Sequence, residues 1–538
     1  MSRMVPLFSH PHFRPRHYIG GSAVVFFIVL LYVLSLSSVF SVGGSYTWEN
    51  FKQDSYLHQI ITFSFEQAFL SALLSVMIGT LFGRAFFYQS FCGKRLIQRL
   101  FSLTFVLPAL LAIFGLLGIY GSAGWLSLLM QSLGIDWKPT IYGLSGILIA
   151  HLFFNIPLAA RMTGQALQSI PSEQHQLAAQ LNIRGWQFFR LIELPYLKNQ
   201  LLPAFVLIFM LCFTSFTIVL ALGGGPQNST LEVAIYQAIL FEFDFPKAAL
   251  FALIQFVFCF VLFTMSQFLA KPPETHLSQR YIWLAAPSSA VKIFNVFILI
   301  SVCLFIFMPL LNIIVEGLNA RQWGRFLQDP QLWKALMYSL SMAPTSGVLA
   351  ITFSFLLLLL SRQLQWLHFP VFATFIQTAG MMILAIPTLI LAVGLFLLLQ
   401  DIDFTNVHLF FIVVLCNALA AMPFVIRILN SPMMQATQYY EKLCLSLNLK
   451  GWQRFKLIEY PLLKAPLKYA FALATTLSLG DFTAIALFGS PDFTSLPHLL
   501  YQQLGQYRSQ EAAITALILL GLCIGLFLFI EHNKVDND

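Results

Sequence analysis

Long apolar runs separated by short polar stretches dominate this sequence. Twelve windows of mainly apolar residues can be drawn, each about 20 residues long and able to cross ~30 Å of hydrocarbon as a helix. The ~10-residue alternating segments typical of a membrane β-barrel are not visible. The predicted spans are 19–41, 62–86, 99–121, 142–163, 200–222, 245–269, 290–316, 334–361, 371–400, 407–430, 465–488 and 511–531. The pattern predicts an all-α, polytopic membrane protein.

Composition excludes a soluble protein. Hydrophobic residues make up 58% of the chain and charged residues 10%, against roughly 25% charged residues in an ordinary soluble chain. A water-soluble fold this apolar would lack the polar surface that keeps it in solution. The first span follows several arginines and superficially resembles a signal peptide. It is too long and lacks an A-x-A cleavage pattern, so we expect a retained anchor.

The positions of Lys and Arg indicate how the spans are oriented. If both termini are cytoplasmic, 23 of the 30 basic residues lie on the cytoplasmic side. The others are Lys52, Lys138, Lys247, Arg321, Arg325, Lys334 and Arg508. The net charge of +8 is therefore explained by the basic residues that orient the spans. The chain lacks the soluble basic domain that nucleic acid binding would need. We expect a protein surrounded by membrane lipid, with both termini cytoplasmic and no nucleic acid partner.

The second part of the chain repeats the first. Residues 182–198 and 448–464 align without gaps at an offset of 266, and 11 of the 17 positions are identical. Other paired positions are Ser215-Phe216-Thr217 with Asp481-Phe482-Thr483, Tyr236-Gln237 with Tyr501-Gln502, and Pro108 and Gly115 with Pro387 and Gly394. The Pro and Gly pairs fit a kinked, closely packed helix in each half, although ordinary Gly and Pro usage in membrane helices is the alternative.

The repeat divides the chain into two halves. We expect an N-terminal half at 1–269, a short linker at 270–289 and a C-terminal half at 290–538. Each half has six spans, an even number, so both halves face the same way about a pseudo-twofold axis along the membrane normal, with a pathway between them. Two long cytoplasmic loops, 164–199 and 431–464, carry the strongest similarity, although loops usually tolerate change.

Each long loop is predicted to form a helical elbow: a short helix, a break, and a second helical stretch ending at a proline. Asn182 and Gly185 in the first loop, like Asn448 and Gly451 in the second, tolerate the left-handed backbone that turns a helix sharply. A rigid, partly apolar elbow is suited to docking into another protein. An amphipathic helix on the membrane surface is the alternative.

The elbow pattern resembles the EAA motif of ABC-importer permeases, in which Glu-Ala-Ala is followed by a Gly six residues after the Glu and later by Ile-x-Leu-Pro. Gln176 and Asn182 stand at the Glu and Gly positions of the first copy. Lys442 and Asn448 stand there in the second copy, and both copies retain the proline. Both copies thus depart from the motif at the leading Glu and at the Gly, whereas the spacing and the duplication are those of the family.

The resemblance implies a type I ABC importer permease fold, with about twelve transmembrane helices in two parallel six-helix repeats in a bacterial inner membrane. It implies that both elbows are coupling helices seated on two copies of an ATP-binding cassette subunit, and that a periplasmic solute-binding protein delivers the solute. The residues expected to take part in coupling are Gln176, Ala178, Ala179, Asn182, Gly185, Trp186, Pro195, Asn448, Gly451, Trp452 and Pro461.

The resemblance also carries an expectation about the substrate. Fused-half permeases of this length include thiamine and iron(III) importers. The stretches 53–76, 114–134 and 500–520 look most like permeases for thiamine and thiamine pyrophosphate. A thiamine-like small molecule is therefore implied, with iron(III) as the alternative; composition and spacing reveal neither.

The sequence contains no motif for catalysis by the chain itself. It has no G-x-x-x-x-G-K-[ST] phosphate loop, because Gly93-Lys94-Arg95 is only a basic loop. The seven cysteines form no C-x-x-C pair and the histidines no metal-ligand spacing. We expect no catalytic residue, no metal and no cofactor, so that ATP is hydrolysed by separate subunits and the chain is not an enzyme.

Two other classes of protein compete with this interpretation. Secondary transporters of the major-facilitator type also have two parallel six-span halves, but their elaborated loops are expected after span two and between the halves. Here the elaborated loops are the fourth and tenth. A membrane scaffold or membrane enzyme is disfavoured because no inward-facing catalytic cluster is visible.

Two acidic residues, Glu66 and Asp481, lie inside predicted spans. Glu66 is near the outer end of its span, where snorkelling to the interface explains it. Asp481 lies deeper, and its partner in the repeat is Ser215. We expect Ser215 and Asp481 to line the central pathway, with Asp481 favouring a cationic solute; a structural hydrogen bond to a neighbouring helix is the alternative.

Overall fold

In the residues that it describes, the computed structural model consists of helices joined by turns and short extended segments, with an isolated bridge between Ser490 and Phe493. Those residues are 19–43, 54–104, 106–136, 139–269, 289–367, 369–400, 402, 405–447, 449 and 451–535. The predicted linker at 270–289 lies outside them, except for its last residue.

The described part of the first half contains twelve α-helices. They are α1 Ile19–Gly43, α2 Ser55–Tyr88, α3 Lys94–Thr104, α4 Ala109–Tyr120, α5 Trp125–Ser132, α6 Leu144–Gln168, α7 Ser172–Gln180, α8 Gly185–Phe188, α9 Leu194–Phe213, α10 Phe216–Leu222, α11 Leu231–Leu240 and α12 Phe245–Leu269. A π-helical turn, Phe189–Glu193, joins α8 to α9, and a 3-10 turn, Pro226–Asn228, precedes α11.

The second half follows the same order. Its helices are α13 Ser289–Asn319, α14 Trp323–Phe326, α15 Pro330–Trp366, α16 Pro370–Ala379, α17 Thr388–Leu399, α18 Asn406–Ser446, α19 Gly451–Arg454, α20 Tyr460–Gly480, α21 Thr483–Phe488, α22 Leu496–Gly505 and α23 Ser509–Val535. A π-helical turn, Phe455–Glu459, joins α19 to α20, and a 3-10 turn, Met382–Leu384, lies between α16 and α17.

Eleven helices in the described part of the chain are long and apolar enough to cross a membrane, and eleven of the twelve predicted spans overlap them. The exception is the prediction at 371–400, which was wrong as one continuous helix: α16 and α17 are separated before Pro387. The prediction at 99–121 was wrong in the same way, because α3 and α4 are separated before Pro108. A residue before proline is disfavoured in the α-helical region, so each proline starts a new helix and does not kink a longer one.

The two halves are packed crosswise. The first helix of each half packs against a helix of the other half: α1 packs against α17, and α13 packs against α4. A Cβ atom on Gly394 in α17 would lie 2.0 Å from Ser35 Oγ, and one on Gly115 in α4 would lie 2.5 Å from the Pro309 carbonyl oxygen. Ser38 Oγ also donates a hydrogen bond to the Gly394 carbonyl over 2.7 Å. The close packing predicted at both glycines is confirmed, and it occurs between the halves.

A small separate core supports the first elbow. Its buried members are Ala166, Leu167, Ile170, Ala178, Phe188, Ile192 and Leu197. They come from the end of α6, from α7 and from the start of the next span. The elbow is therefore packed onto the helices around it and is not a free loop.

Candidate functional site

The first elbow has the sharp turn that its sequence predicts. After α7, Asn182 has φ +50° and Gly185 has φ +53°, so both have the left-handed backbone expected for them. The Ile183 N–H donates to the Ala178 carbonyl over 2.9 Å, and the Asn182 N–H donates to Ala179 over 3.2 Å. These two bonds form a Schellman motif, which satisfies the last carbonyl groups of α7 and fixes the direction in which the chain leaves the helix.

The short helix α7 has one buried face and one exposed face. Ser172, His175 and Ala178 are buried at a spacing of three residues, and the His175 ring lies 5.9 Å from that of Phe188. Leu177 and Leu181 are 52% and 63% exposed. Large apolar side chains on the outer face of a packed element mark a surface for another protein or for lipid.

The second elbow repeats this arrangement. The Leu449 N–H donates to the Cys444 carbonyl over 2.9 Å, and these residues correspond to Ile183 and Ala178 at the offset of 266. Cys444 is buried as Ala178 is, while Leu443 is 46% exposed. Three pairs of equivalent leucines are exposed in both copies: Leu177 and Leu443, Leu181 and Leu447, and Leu191 and Leu457. The two elbows therefore offer similar apolar surfaces.

The second elbow differs from the prediction in how it begins. The first copy has the expected break between α6 and α7, where Pro171 has an extended backbone. In the second copy α18 continues without a break to Ser446, so the separate short helix predicted there is absent. The residue equivalent to Pro171 is Thr437, which has a backbone N–H and does not restrict the residue before it.

The prediction that each elbow ends at its proline was wrong. Pro195 and Pro461 lie in the first turn of α9 and α20, just after the π-helical turns, and the helix axis continues into the membrane. Proline removes a backbone donor and crowds the carbonyl four residues earlier, and one wider π-turn accommodates both effects.

The other residues predicted to take part in coupling lie in or beside the elbows. Gln176, Trp186, Pro195 and Pro461 are exposed, Trp186 by 71%, and Ala179 is partly buried. Gly451 begins α19 and Trp452 follows it in the same helix. Asn448 lies outside the described residues. The role of this set in coupling stays a prediction.

Sequence reasoning missed a buried ion pair that ties each elbow to the second span of its half. Glu193 is fully buried, and Arg84 in α2 donates to both of its carboxylate oxygens, with Nε over 2.6 Å and Nη2 over 3.1 Å. In the second half Glu459 binds Arg362 over 2.9 Å and Arg454 over 2.8 Å. The glutamates were visible as matching positions in the repeat. Arg454 is only five residues from Glu459. Arg84 and Arg362 are about a hundred residues from their glutamates, so only the fold reveals those two pairs.

The predicted pathway residues lie where the fifth span of each half is interrupted. Ser215 precedes α10 after α9 has ended, and Asp481 lies between α20 and α21. The Thr483 N–H donates to Asp481 Oδ1 over 3.0 Å. With its amide nitrogen turned toward the carboxylate, Asn417 donates to Asp481 Oδ2 over 2.7 Å and accepts from Ser478 Oγ.

A small pocket beside Asp481 is lined only by residues of the second half, both apolar and polar. Its polar lining residues are Ser339, Asn417, Ser478, Asp481 and Ser495. The structural hydrogen bond considered as the alternative for Asp481 is therefore present. The pathway role of Ser215 and Asp481 stays a prediction. Among the described residues, no group of three or more His, Cys, Asp or Glu side chains is placed to hold a metal ion.

Repeated halves, many spans and a repeated apolar elbow together define a class: a multi-pass transport permease that works with other subunits. The chain belongs to the family described as the binding-protein-dependent transport system inner membrane component, which matches residues 75–272 and 367–536. It is a multi-pass inner-membrane protein and a translocation subunit, and membership of this family implies ATP-binding and substrate-binding partners.

Several relatives are similar over almost their whole length. The chain is 59% identical to the thiamine transport system permease protein ThiP of Haemophilus influenzae, covering 99% of both proteins. It is 46% identical to the protein of that name from Escherichia coli, covering 91% of both. The one from Brucella abortus is 38% identical over 96% of this chain and 95% of the relative.

Proposed function

We propose that this chain is the permease of an ATP-driven importer that carries thiamine, or its pyrophosphate, across the bacterial inner membrane by alternating access. The observation that carries the substrate is the 59% identity over 99% of both chains with a thiamine transport permease. Iron(III), the alternative substrate, has no comparable support among these relatives.

The test is uptake by the reconstituted complex. Proteoliposomes holding the permease and its ATP-binding subunits receive labelled thiamine, thiamine pyrophosphate or iron(III), each with the solute-binding protein supplied outside. We expect ATP-dependent uptake of thiamine or its pyrophosphate, and none with a hydrolysis-deficient ATP-binding subunit. Uptake of iron(III) alone, or uptake driven by an ion gradient without ATP, contradicts the proposal.

The two elbows are the proposed docking sites for two ATP-binding subunits, one on each half. Support comes from the three exposed leucine pairs, because two similar surfaces related by a pseudo-twofold axis suit two copies of one partner. The Schellman turn and the buried face of α7 hold this surface in shape before docking, which lowers the entropy lost on binding. In this arrangement both termini and both elbows are cytoplasmic, and the solute-binding protein docks on the opposite side.

Charged substitutions at the exposed leucines test this docking. Leu177→Asp together with Leu443→Asp places a charge on each surface without disturbing a buried contact. We expect the complex to lose its ATP-binding subunits in co-purification, while the permease is inserted normally. The matched control is Leu128→Asp, an exposed leucine in α5, away from the elbows. Retention of the ATP-binding subunits by the double variant contradicts docking at the elbows.

A further inference from the structure

Four aromatic side chains, three of them buried and Tyr501 partly buried, cluster where the two halves meet; we call this cluster the aromatic tetrad. Phe216 and Phe482 are stacked, with ring centroids 6.0 Å apart and planes 11° from parallel. Tyr236 packs edge-on against Phe216, with centroids 5.2 Å apart, and Tyr501 packs against Phe482 at 5.0 Å. Phe216 and Phe482 are 2% and 1% exposed, so the centre of the tetrad is closed to water.

The tetrad follows the internal repeat. Phe216 and Phe482 are equivalent positions at the offset of 266, and Tyr236 and Tyr501 are paired through the repeated Tyr-Gln motif. Two equivalent residues can contact each other only if the pseudo-twofold axis passes between them. A passage between the halves follows the same axis, so the stacked rings lie across it.

The tetrad also coincides with the interruption of both fifth spans. Phe216 begins α10 directly after the break that follows α9, and Phe482 directly precedes α21. Irregular backbone at membrane depth is tolerated where it is buried in protein or lines a cavity. α9 is 20 residues long and rises by ~30 Å, so the tetrad lies about a membrane thickness away from the first elbow.

We propose that the aromatic tetrad is the barrier that closes the central passage on the side away from the elbows, and that its rings contact the solute when the halves part. This inference rests on the proposed function for the identity of the solute. When the stack opens, each half presents one Phe and one Tyr ring toward the passage. Such faces suit an organic cation with aromatic rings, because each cation–π contact is worth about 0.5–2 kcal/mol.

A stacked aromatic pair within one half provides the matched control. Phe209 and Phe213, both in α9, have centroids 6.0 Å apart and planes 13° from parallel, and both are buried. The pair has the same geometry as Phe216 and Phe482 but belongs to one half. Replacing either pair removes similar aromatic packing, whereas only the tetrad lies between equivalent elements of the two halves.

The barrier is tested first, with a probe that does not depend on the substrate. The permease with its ATP-binding subunits is placed in liposomes filled with a small fluorescent dye, without ATP. We expect Phe216→Ala with Phe482→Ala to raise dye leakage at least about tenfold, and Phe209→Ala with Phe213→Ala to leave it at the wild-type rate. Wild-type tightness of the Ala pair overturns the barrier. If the Ala pair does not assemble, the single Phe482→Ala variant is judged by the same two outcomes.

Contact with the solute is tested by the Phe216→Leu, Phe482→Leu pair, which keeps apolar bulk but removes the ring faces. We expect the thiamine transported per ATP to fall ~2- to 30-fold, the range that one cation–π contact gives, with ATPase stimulation by the loaded binding protein retained. The Phe216→Tyr, Phe482→Tyr pair, which keeps the rings, should stay near wild type. An unchanged ratio in the Leu pair overturns the solute contact. A wild-type complex that takes up no thiamine contradicts the proposed function instead, and the leakage result still decides the barrier.

Discussion

At the scale of single residues, the buried carboxylates of Glu193 and Glu459 impose the strictest chemical requirement near the elbows. A buried charge is costly unless it is paired and hydrogen-bonded, and each of these has an arginine from the second span of its own half. The pair joins the start of the fifth span to the end of the second span that lies beside the elbow. Each elbow is therefore held to two spans of its half by a charged contact.

Glu193→Gln should lower the free energy of unfolding by about 3 kcal/mol, the lower end for a broken buried pair because Arg84 is partly exposed. Thermal unfolding of the purified protein in detergent measures this. The control is Glu173→Gln, which changes an exposed glutamate in the first turn of α7 and should have little effect. Exchanging the charges, Arg84→Glu with Glu193→Arg, should recover part of the loss. Equal stability of the Glu193 and Glu173 variants contradicts the pairing argument.

Gly185→Val should weaken the association with the ATP-binding subunits while leaving membrane insertion normal. A β-branched residue at φ +53° is strained by about 1–2 kcal/mol, so the elbow leaves its native shape. Co-purification of the complex gives the measurement. Gly164→Val in α6 is the matched control, since a side chain there meets open space. If the Gly185 variant associates as fully as the wild type, the native shape of the elbow is not needed for coupling.

At the scale of elements, a single residue decides whether a helix continues or stops. Pro171 separates α7 from α6, while Thr437 at the equivalent position leaves α18 continuous. Pro108 and Pro387 each start a helix where hydropathy alone predicted one long span. Hydropathy averages over a window, so it finds apolar length well and cannot report the backbone preference of one position.

Gly394→Val should disrupt the packing of α1 against α17, because even a Cβ atom there would lie 2.0 Å from Ser35 Oγ. Overpacking of this kind costs typically ~1–3 kcal/mol. The expected result is a lower midpoint of thermal unfolding and a smaller monodisperse fraction in size-exclusion chromatography. Gly521→Val in α23, where a side chain meets open space, should change neither quantity. Similar behaviour of the two variants would show that the close approach is unimportant.

At the scale of the whole molecule, the sequence predicted what depends on period, length and repetition. The spans, the two halves and the left-handed turn at Asn182 belong to this group. The Arg84–Glu193 pair, the crosswise packing and the stacking of Phe216 on Phe482 were not predicted. Each of these joins residues that are far apart in the chain, and one sequence contains no signal for contacts that form only when the spans assemble.

The orientation of the molecule can be checked by labelling in intact cells. In a Cys92→Ser background, which removes the exposed native cysteine, Gln227→Cys should react with an impermeant thiol reagent from outside. Gln180→Cys on α7 should react only after the membrane is permeabilised, in cells lacking the ATP-binding subunit that would shield it. Reaction of Gln180→Cys in intact cells contradicts cytoplasmic elbows and the whole proposed topology.

Because of the crosswise packing, the first helices of the two halves meet their partners at different times during synthesis. When α13 leaves the ribosome its partner α4 has already been made, whereas α1 packs on residues made much later: Ser35 bonds Leu391, 356 positions further on. At ~5–20 residues per second, synthesis of that stretch takes about 20–70 s. The first helix therefore waits in the bilayer without its final neighbour for most of translation. Stalled chains ending before Pro387 should leave Ser35 open to crosslinking by lipid or by the insertion machinery, and chains extended past α17 should not.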